Sequence, residues 1–558
     1  MMLPLYRWQL LESDPHLPMV QRILRSRDID PDDDDLFLQP SFDHHMRDPF
    51  LLLDLDKAVK RTVEAIKANE KILVFGDYDA DGVTSTALLF SFLKQINANC
   101  EYHIPHRLKD GYGITEDGVR YAKERHVDLI ITVDNGIAAV DAIQLANELN
   151  LDVIITDHHK QGEQLPSAFA IVNPNRLDCT YPFKGISGVG VTFKFIQVLS
   201  KEFLTDQERE HFLKWNLDLV AMGTVADVMP LLDENRIFVY YGLKVITKSK
   251  RPGIRALLNN EAQKKSNTIT IGYKLGPKIN AAGRLEAADK ALELLLETDQ
   301  EQAELRAKEL TEINHKRQDI TEVAVREAQS QLDLKQKLFV ISSSEWHQGI
   351  VGLISARITD KYYKPSFVFN YNPELQIYKG SGRSPAFFDI TKAMMEHSDL
   401  LVAGGGHKQA CGCTIKAENF ERFKSLITQT ANQIIHDDQL VPEIEISAEM
   451  PAEQITLETL DDLSRLAPFG QNFPDPLFLT KGLKLESFRQ VGFEGKHLLI
   501  ELKTNNRYLK GIAFRLGHLY QQLMMGDTLD VVYSLSKNEW KDKTTVQLII
   551  KDFRISNG

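Results

Sequence analysis

Asp77, Asp79 and Asp81 stand at alternate positions just after the apolar run Ile72-Leu73-Val74-Phe75 and Gly76. Alternate residues of an extended segment point the same way, so Asp77 and Asp79 can aim at one point. Carboxylates crowded at the end of a strand repel one another unless a cation holds them. Hard oxygen donors of this kind favour magnesium or manganese. A lone Asp-x-Asp is more often a solvated acidic turn. Here the arrangement recurs twice. Ile130-Ile131-Thr132-Val133 runs into Asp134-Asn135-Gly136, and Val153-Ile154-Ile155-Thr156 runs into Asp157-His158-His159. Three apolar strands that each deliver carboxylate or imidazole at the same end point to a metal site.

The elements that must position these groups alternate in type. Strand patterns at 72–75, 129–133 and 153–156 are separated by helical patterns at 84–96, 115–125 and 138–149. Such alternation predicts a doubly wound parallel sheet, which binds ligands beyond the carboxyl ends of its strands. Between the first two strands, the glycine-rich loop 105–113 carries His106, Arg107, Lys109 and Tyr112, which suits phosphate and base contact but also an ordinary surface loop. Residues 216–231 read as an apolar helix ending near Pro230, with Asp227 in its apolar part. A metal, a basic partner or a cap could satisfy that carboxylate. The run 276–284 combines small residues with Asn280 and Arg284, and Arg can take phosphate bidentately.

From Leu285 to Trp346 there is neither Gly nor Pro, and helical spacing predicts one long helix to about Leu332 that spans two domains. A second α/β pattern follows, with Ser381-Gly382-Arg383 and then Gly404-Gly405-Gly406-His407, read as an anion cradle of backbone N–H groups. Cys411 and Cys413 lack a second ligand pair at zinc spacing and read as buried thiols. From about 440 the pattern changes to five β-runs separated by turns, which suits a small barrel of OB type. Aromatic and basic residues interleave there (Phe488, Arg489, Lys496, His497, Arg507, Tyr508, Lys510), as a single-strand-binding face would require, although a plain barrel surface could look the same. The expected division is an N-terminal extension 1–50, a catalytic α/β domain 51–284, a connecting helix 285–335, a smaller α/β domain 336–437 and a barrel 438–558.

Length and composition bound the reading. A chain of 558 residues exceeds what one core supports. With 43% apolar and 26% charged residues it has an ordinary globular composition, and no apolar run approaches the roughly 18 residues a spanning helix needs. Neither a membrane association nor a signal peptide is expected. Four cysteines make no disulfide framework, which suits a cytoplasmic protein. A net charge of −12 argues against coating duplex DNA by bulk charge, but not against a local basic channel.

Taken together, Asp77-Tyr78-Asp79-Ala80-Asp81-Gly82, Asp134-Asn135-Gly136, Asp157-His158-His159 and Gly223-Thr224-Val225-Ala226-Asp227 resemble the four motifs of the DHH phosphoesterases. Gly404 to His407 with Ser381 to Arg383 resembles the accessory DHHA1 domain. The segments 276–284 and 468–476 and the barrel narrow the resemblance to the RecJ branch, single-strand-specific 5′→3′ DNA exonucleases. The resemblance implies two divalent cations, Mn2+ or Mg2+, on Asp77, Asp79, Asp134, His158 and Asp227, with Asp134 bridging. It implies that His159 lies close to the scissile phosphate, with Asp81 and Asp157 as supporting groups of the catalytic set. It assigns substrate contacts to Arg107, Tyr112, Asn280, Arg284, Ser381, Arg383, Gly405, Gly406 and His407, with Tyr112 near the terminal nucleotide. Smaller members often place a histidine ligand four residues before the first aspartate. Here that position is Leu73, which leaves one metal with fewer protein ligands. The resemblance further implies single-stranded DNA as substrate, release of 5′-mononucleotides in recombination and repair, a monomer, and a helicase and a single-strand-binding protein as partners. Two rivals remain. A phosphodiesterase for short oligonucleotides or cyclic dinucleotides would not need residues 440–558. A DNA-binding scaffold would not need every ligand position filled.

Overall fold

The computed structural model describes residues 6–11, 14–107, 109–258, 265–504, 507–540 and 543–556. Leu108 of the glycine-rich loop and the turn at Asn505 and Asn506 lie outside the described residues. The chain divides into two compact units, one of residues 41–434 with 470–472, the other of 1–40, 435–469 and 473–558.

The first unit is built on a five-stranded sheet in the order Cys100–His103, Ile72–Phe75, Leu129–Val133, Asp152–Thr156, Ala170–Val172, with every neighbouring pair parallel. Its three inner strands are apolar and almost wholly buried, as strands covered on both faces must be. One face packs on Val83, Leu88 and Phe92, the other on Val119, Ala122 and Ile143. This is the doubly wound sheet the alternation predicts, with two edge strands added. Cys100–His103 escapes notice because Glu101 and His103 interrupt its apolar pattern, and Ala170–Val172 because it is only 3 residues long. Registers place Phe75 opposite Thr132 and Val133 opposite Thr156, so the three inner strands end nearly level.

The expected single helix over 285–332 is two helices, Asp289–Leu296 and Gln300–Ser330. No Gly or Pro marks the break. Carboxylates make it: Glu297 Oε1 accepts from the N–H groups of Thr298 and Asp299, and Asp299 Oδ1 accepts from Gln302 N–H as an N-cap. Beyond it lies a second five-stranded sheet, ordered Leu401–His407, Ala410–Lys416, Ile377–Arg383, Ser366–Asn372, Phe339–Ser343. Only its last pair is parallel.

In the other unit, six strands run in the order Ala448–Glu449, Phe478–Val491, His497–Lys503, Tyr508–Ala513, Lys543–Ile555, Thr528–Trp540. Phe478–Val491 also pairs with Thr528–Trp540, and that pairing closes a barrel. The N-terminal residues do not form a separate extension of 50 residues. Arg7–Leu10 pairs in parallel with Glu443–Ile446, Trp8 Nε1 donates to Asp552 Oδ2 at 2.8 Å, and the Arg554 guanidinium lies 3.9 Å from the Trp8 ring centre. Residues 41–50 belong instead with the parallel sheet, where Arg47 is paired with Asp233.

Candidate metal centre

The acidic turn after Ile72–Phe75 opens a helix four residues earlier than its apolar pattern suggests. Ala80–Gln95 is helical, and Asp79 is its N-cap, with Oδ1 accepting from the N–H groups of Asp81 and Gly82. A carboxylate at a helix N-terminus is stabilised by the exposed N–H groups and the helix dipole. The capping bonds fix Asp79 and leave its other oxygen for a ligand. Asp81 is committed elsewhere. Its two oxygens accept from Gly188 N at 2.8 Å and Val189 N at 2.9 Å, which docks helix Gly188–Leu199 against the turn. Gly188 is required there, because a Cβ at that position would sit 2.3 Å from Asp134 Oδ1.

Asp134 follows the strand Leu129–Val133 with φ of +62°, a left-handed conformation that Asp tolerates better than most residues. Asn135 holds the turn by donating to the carbonyls of Phe75 and Val133 and accepting from Ile114 N. Asp157 ends the next strand fully satisfied. Its Oδ1 accepts from the N–H groups of His158 and His159 and contacts His159 Nδ1 at 2.8 Å, and its Oδ2 accepts from Ile137 N. It is therefore a positioning residue for the histidines rather than a ligand. Asn173 and Asn175 hold the same turn from the far side, donating to the carbonyls of His159 and His158. Asp227 lies not inside a helix but at the C-cap of Leu217–Ala226, partly open to solvent.

These turns converge. The ligand atoms of Asp77, Asp79 and Asp134 lie within 4.8 Å of one another, as do those of Asp81, His158 and Asp227, and those of Asp134, His158 and His159. Asp134 thus stands between two groups. Both oxygens of Asp77, Oδ1 of Asp134 and Nε2 of His158 are buried without a hydrogen-bond partner of good geometry, although His158 Nε2 and Asp134 Oδ1 are 3.1 Å apart. Each orphaned buried group of this kind costs roughly 1–3 kcal/mol unless something binds it. Burial and the neighbouring carboxylates push Asp77, Asp134 and Asp227 well above the usual carboxylate range. Burial, then His159, lowers His158 to about 4, so at neutral pH it is the unprotonated imidazole a metal needs. A cluster of oxygen donors and one imidazole, mutually repelling and unsatisfied, fits divalent cations and no hydrophobic or anionic ligand.

His159 differs from its neighbour. Burial opposes its charge, but Asp157, with Asp227 and Asp79, raises it to about 9. The Tyr112 hydroxyl lies 3.1 Å from His159 Nε2, which brings the glycine-rich loop to the rim. Arg107 stacks on Tyr78, 4.8 Å from the ring centre, and Tyr78 meets Tyr112 edge-on. Arg284 is lowered to about 9 by burial and then by Arg107, Arg317 and Arg383, and burial with Arg107 also lowers Arg383. Four guanidinium groups therefore share a region beside the carboxylates. Arg383 Nη1 donates to Ser381 Oγ at 2.8 Å, and both face Gly352 in the first turn of helix Val351–Tyr362. A helix N-terminus with Arg and Ser beside it suits an anion.

Three expected contacts are placed differently. Asn280 is within helix Gly276–Leu285 and its Oδ1 accepts from Ala80 N at 2.8 Å, so it braces the acidic turn. Gly405 and Gly406 are not in a cradle loop. They belong to the edge strand Leu401–His407, paired with Gly412 and Cys411. The ladder to the neighbouring strand takes part of their backbone bonding, and a nest of converging N–H groups does not form. His407 ends that strand, exposed, and is lowered by burial, Lys160 and His159.

Comparison with known proteins sets this geometry in a lineage. Residues 71–224 match the DHH family, N-terminal domain, residues 335–433 the DHHA1 domain and residues 446–552 the RecJ OB domain. The single-stranded-DNA-specific exonuclease RecJ of Bacillus subtilis is 36% identical over 97% of this chain and 68% of its own length. The chain belongs to the RecJ family. RecJ of Thermus thermophilus, solved with Mn2+, superposes with a TM-score of 0.85 at 29% identity over 99% of this chain and 80% of that one. The same RecJ solved with Mg2+ gives 0.79 at 27% identity over 99% and 79%. RecJ membership agrees with the cofactor the donor set selects, Mn2+ or Mg2+. Sequence reasoning missed Tyr78, Asn173, Asn175, Gly188 and Arg317 around this RecJ site. Asn173-Pro174-Asn175 directly after the strand Ala170–Val172 is the one local signal that could have pointed to a structured turn.

Proposed function

We propose that this chain is a metal-dependent exonuclease that hydrolyses phosphodiester bonds of single-stranded DNA from the 5′ end, releasing 5′-mononucleotides. The observation that carries the proposal is the orphaned set of Asp77, Asp134 and His158, level with the ends of three parallel strands and bordered by Arg107, Arg284, Arg317 and Arg383. A phosphodiester and its attacking oxygen are both anionic, so hydrolysis needs positive charge on two sides. Bound Mn2+ or Mg2+, held by Asp77, Asp79, Asp134, His158 and Asp227, would supply an acidified water and charge neutralisation at the attacking and leaving oxygens. Asp79 is fixed by its capping bonds and Asp81 by helix Gly188–Leu199, so the donors need little reorganisation. His159, held cationic by Asp157, is set to donate to a non-bridging phosphate oxygen. Arg284, Arg383 and Ser381 would take the flanking phosphate, with the first turn of helix Val351–Tyr362 behind it. Tyr78 and Tyr112 would border the terminal nucleotide. In the same reading the chain acts as a cytoplasmic monomer in recombination and repair, beside a helicase and a single-strand-binding protein.

The test is a time course with manganese on a long 5′-labelled single strand, a dinucleotide and a blunt duplex, using wild type and Asp134→Ala. Rapid release of labelled mononucleotide from the long strand alone, lost in the variant, is expected. Cleavage of the dinucleotide alone would transfer the site to small substrates, and no hydrolysis by wild type would reduce the chain to a binding scaffold.

A further inference from the structure

Asp227 is the one expected metal donor that follows no strand, and its placement depends on a strained turn. Helix Leu217–Ala226 ends in a double closure: Val228 N donates to the Val225 carbonyl at 3.2 Å and Met229 N to the Thr224 carbonyl at 3.1 Å. That pattern puts the residue after the C-cap in the left-handed region, a position that usually goes to glycine. Here it is Val228, with φ of +57° and 63% exposed. A β-branched residue is strained in that conformation, and a side chain so exposed gains little packing to offset it. Such strain persists only where the surroundings over-determine the backbone, and it gathers at functional sites.

What holds this turn is Asn235, wholly buried in the first turn of helix Asp233–Thr247. Its Nδ2 donates to the Pro230 carbonyl at 3.0 Å and to the Gly185 carbonyl at 2.7 Å. Its Oδ1 is buried with no partner among the described residues, so the bonding of this amide is spent on those two carbonyls. One side chain thus ties the turn after Asp227 to the segment before helix Gly188–Leu199. That second segment also reaches the site. The backbone of Ile186 supports the His158 ring by hydrogen bonding, and Ser187 Oγ lies 2.8 Å from Thr224 Oγ1. His158 Nε2 and Asp227 Oδ2 are 3.7 Å apart, one donor supported by each of the two joined segments. Asn235 is itself anchored, because the adjacent Glu234 accepts from Lys194 Nζ, Arg47 N and the Tyr181 hydroxyl. Leu231 N, donating to the Gln471 carbonyl at 2.9 Å within the same unit, closes the far side of the turn.

We propose that Asn235 is a positioning residue for the metal donors His158 and Asp227, and that it holds Val228 in its strained conformation to aim the Asp227 carboxylate into the site. The proposal rests on the metal-dependent reading above. It divides the donors by what supports them. Asp77, Asp79 and Asp134 are fixed by the parallel sheet and its turns, whereas the spacing of His158 and Asp227 depends on one amide that touches neither.

The measurement is a Mn2+ titration of the full chain, with free Mn2+ read by electron paramagnetic resonance. Four proteins are compared: wild type, Asn235→Ala, Asn235→Ala with Val228→Gly, and Gly380→Ala. The last is a control for lost stability alone, since a Cβ there would crowd the Phe369 ring on the mixed sheet. Asn235→Ala is expected to bind at least one Mn2+ about tenfold or more weakly, as when other groups that orient metal ligands are lost, with kcat recovering as Mn2+ is raised. Glycine takes the left-handed conformation without strain, so adding Val228→Gly should recover most of the lost affinity. The control should bind Mn2+ as wild type does. Unchanged affinity in Asn235→Ala overturns the proposal, as does an equal loss in Gly380→Ala or no recovery with Val228→Gly. If Asn235→Ala does not fold, Asn235→Asp, of the same shape without the amide donors, takes its place under the same criteria. Wild type that binds no Mn2+ would overturn the metal-centre reading itself, a result distinct from wild-type binding that Asn235 does not influence.

Discussion

The two sheets of the first unit contribute to the site in opposite ways. In the parallel sheet, every strand ends on the same side, so the turns after Phe75, Val133 and Thr156 deliver their carboxylates and imidazoles to one edge. In the mixed sheet of residues 339–416, antiparallel strands send their turns to both ends. What it offers the site comes from strand ends and a neighbouring helix: Ser381, Arg383, His407 and the first turn of Val351–Tyr362. Direction of the strands decides whether a sheet gathers many charges at one point or presents a few along a surface. The first arrangement holds cations, and the second suits a polyanion lying across it.

That contrast can be broken at its centre first. Asp134→Ala removes the carboxylate shared by the two donor groups. It is expected to lower kcat about a thousandfold or more, the roughly 4 kcal/mol that loss of a principal charge-stabilising group costs. A manganese titration followed by melting should separate the two contributions. Wild type should gain about 2.7 kcal/mol at a hundredfold excess over Kd, and the variant little. Asp157→Asn is next. It removes no metal donor but loosens the turn that carries His158 and His159, and a drop of about 10–100-fold in kcat with intact folding is expected, as for other groups that orient a site's working residues. On the mixed sheet, Arg383→Met should act mainly through KM, raising it about tenfold for long strands, since one charge-assisted contact contributes roughly 1.5–3 kcal/mol. Steady-state kinetics on strands of two lengths would check this split.

The smallest effects test packing. At Gly380 a Cβ would sit 2.2 Å from the Phe369 ring, and Gly380→Ala should destabilise by about 1–3 kcal/mol in urea melts. At Gly405 a Cβ would meet nothing within 4 Å, and Gly405→Ala should fall within about 0.5 kcal/mol of wild type. If Gly405→Ala also leaves DNA affinity unchanged, the edge strand serves as plain support and His407 alone faces the substrate.

The metal centre was legible because its signals are local. Asp77, Asp79, Asp134 and His158 each lie within four residues of an apolar strand, and the convergence of strand ends follows from the alternation of strand and helix; Asp227, at a helix C-cap, is the exception. What stayed hidden depends on distant partners. Gly188 matters because of Asp134, and nothing next to it in the chain announces that role; Asn173-Pro174-Asn175 announces a turn, but not that it holds the histidines. The triple glycine misled because glycines suit both a loop of converging N–H groups and a crowded strand. There Gly406, with φ of +152°, passes close to the Ala410 carbonyl. The break at Glu297 to Asp299 was missed because carboxylates end a helix through side-chain bonds that helical spacing does not register. Lys194 and Glu234, an ion pair with both side chains wholly buried, stand on two different helices, Gly188–Leu199 and Asp233–Thr247, and only the fold brings them together.

The pairing of Arg7–Leu10 with Glu443–Ile446 sets a timetable. Arg7 and Glu443, bonded through their side chains, are 436 residues apart. At a synthesis rate of about 5–20 residues per second, the first strand waits roughly 20–90 s for its partner to leave the ribosome. Residues 41–434 are complete before that partner appears. The parallel sheet and its metal centre can form first, while Trp8 and its strand remain unpaired on the nascent chain until the last 120 or so residues arrive to enclose them. A premature stop near residue 434 would leave an intact set of metal donors and an unpaired strand, a product more prone to aggregation than to loss of the site itself.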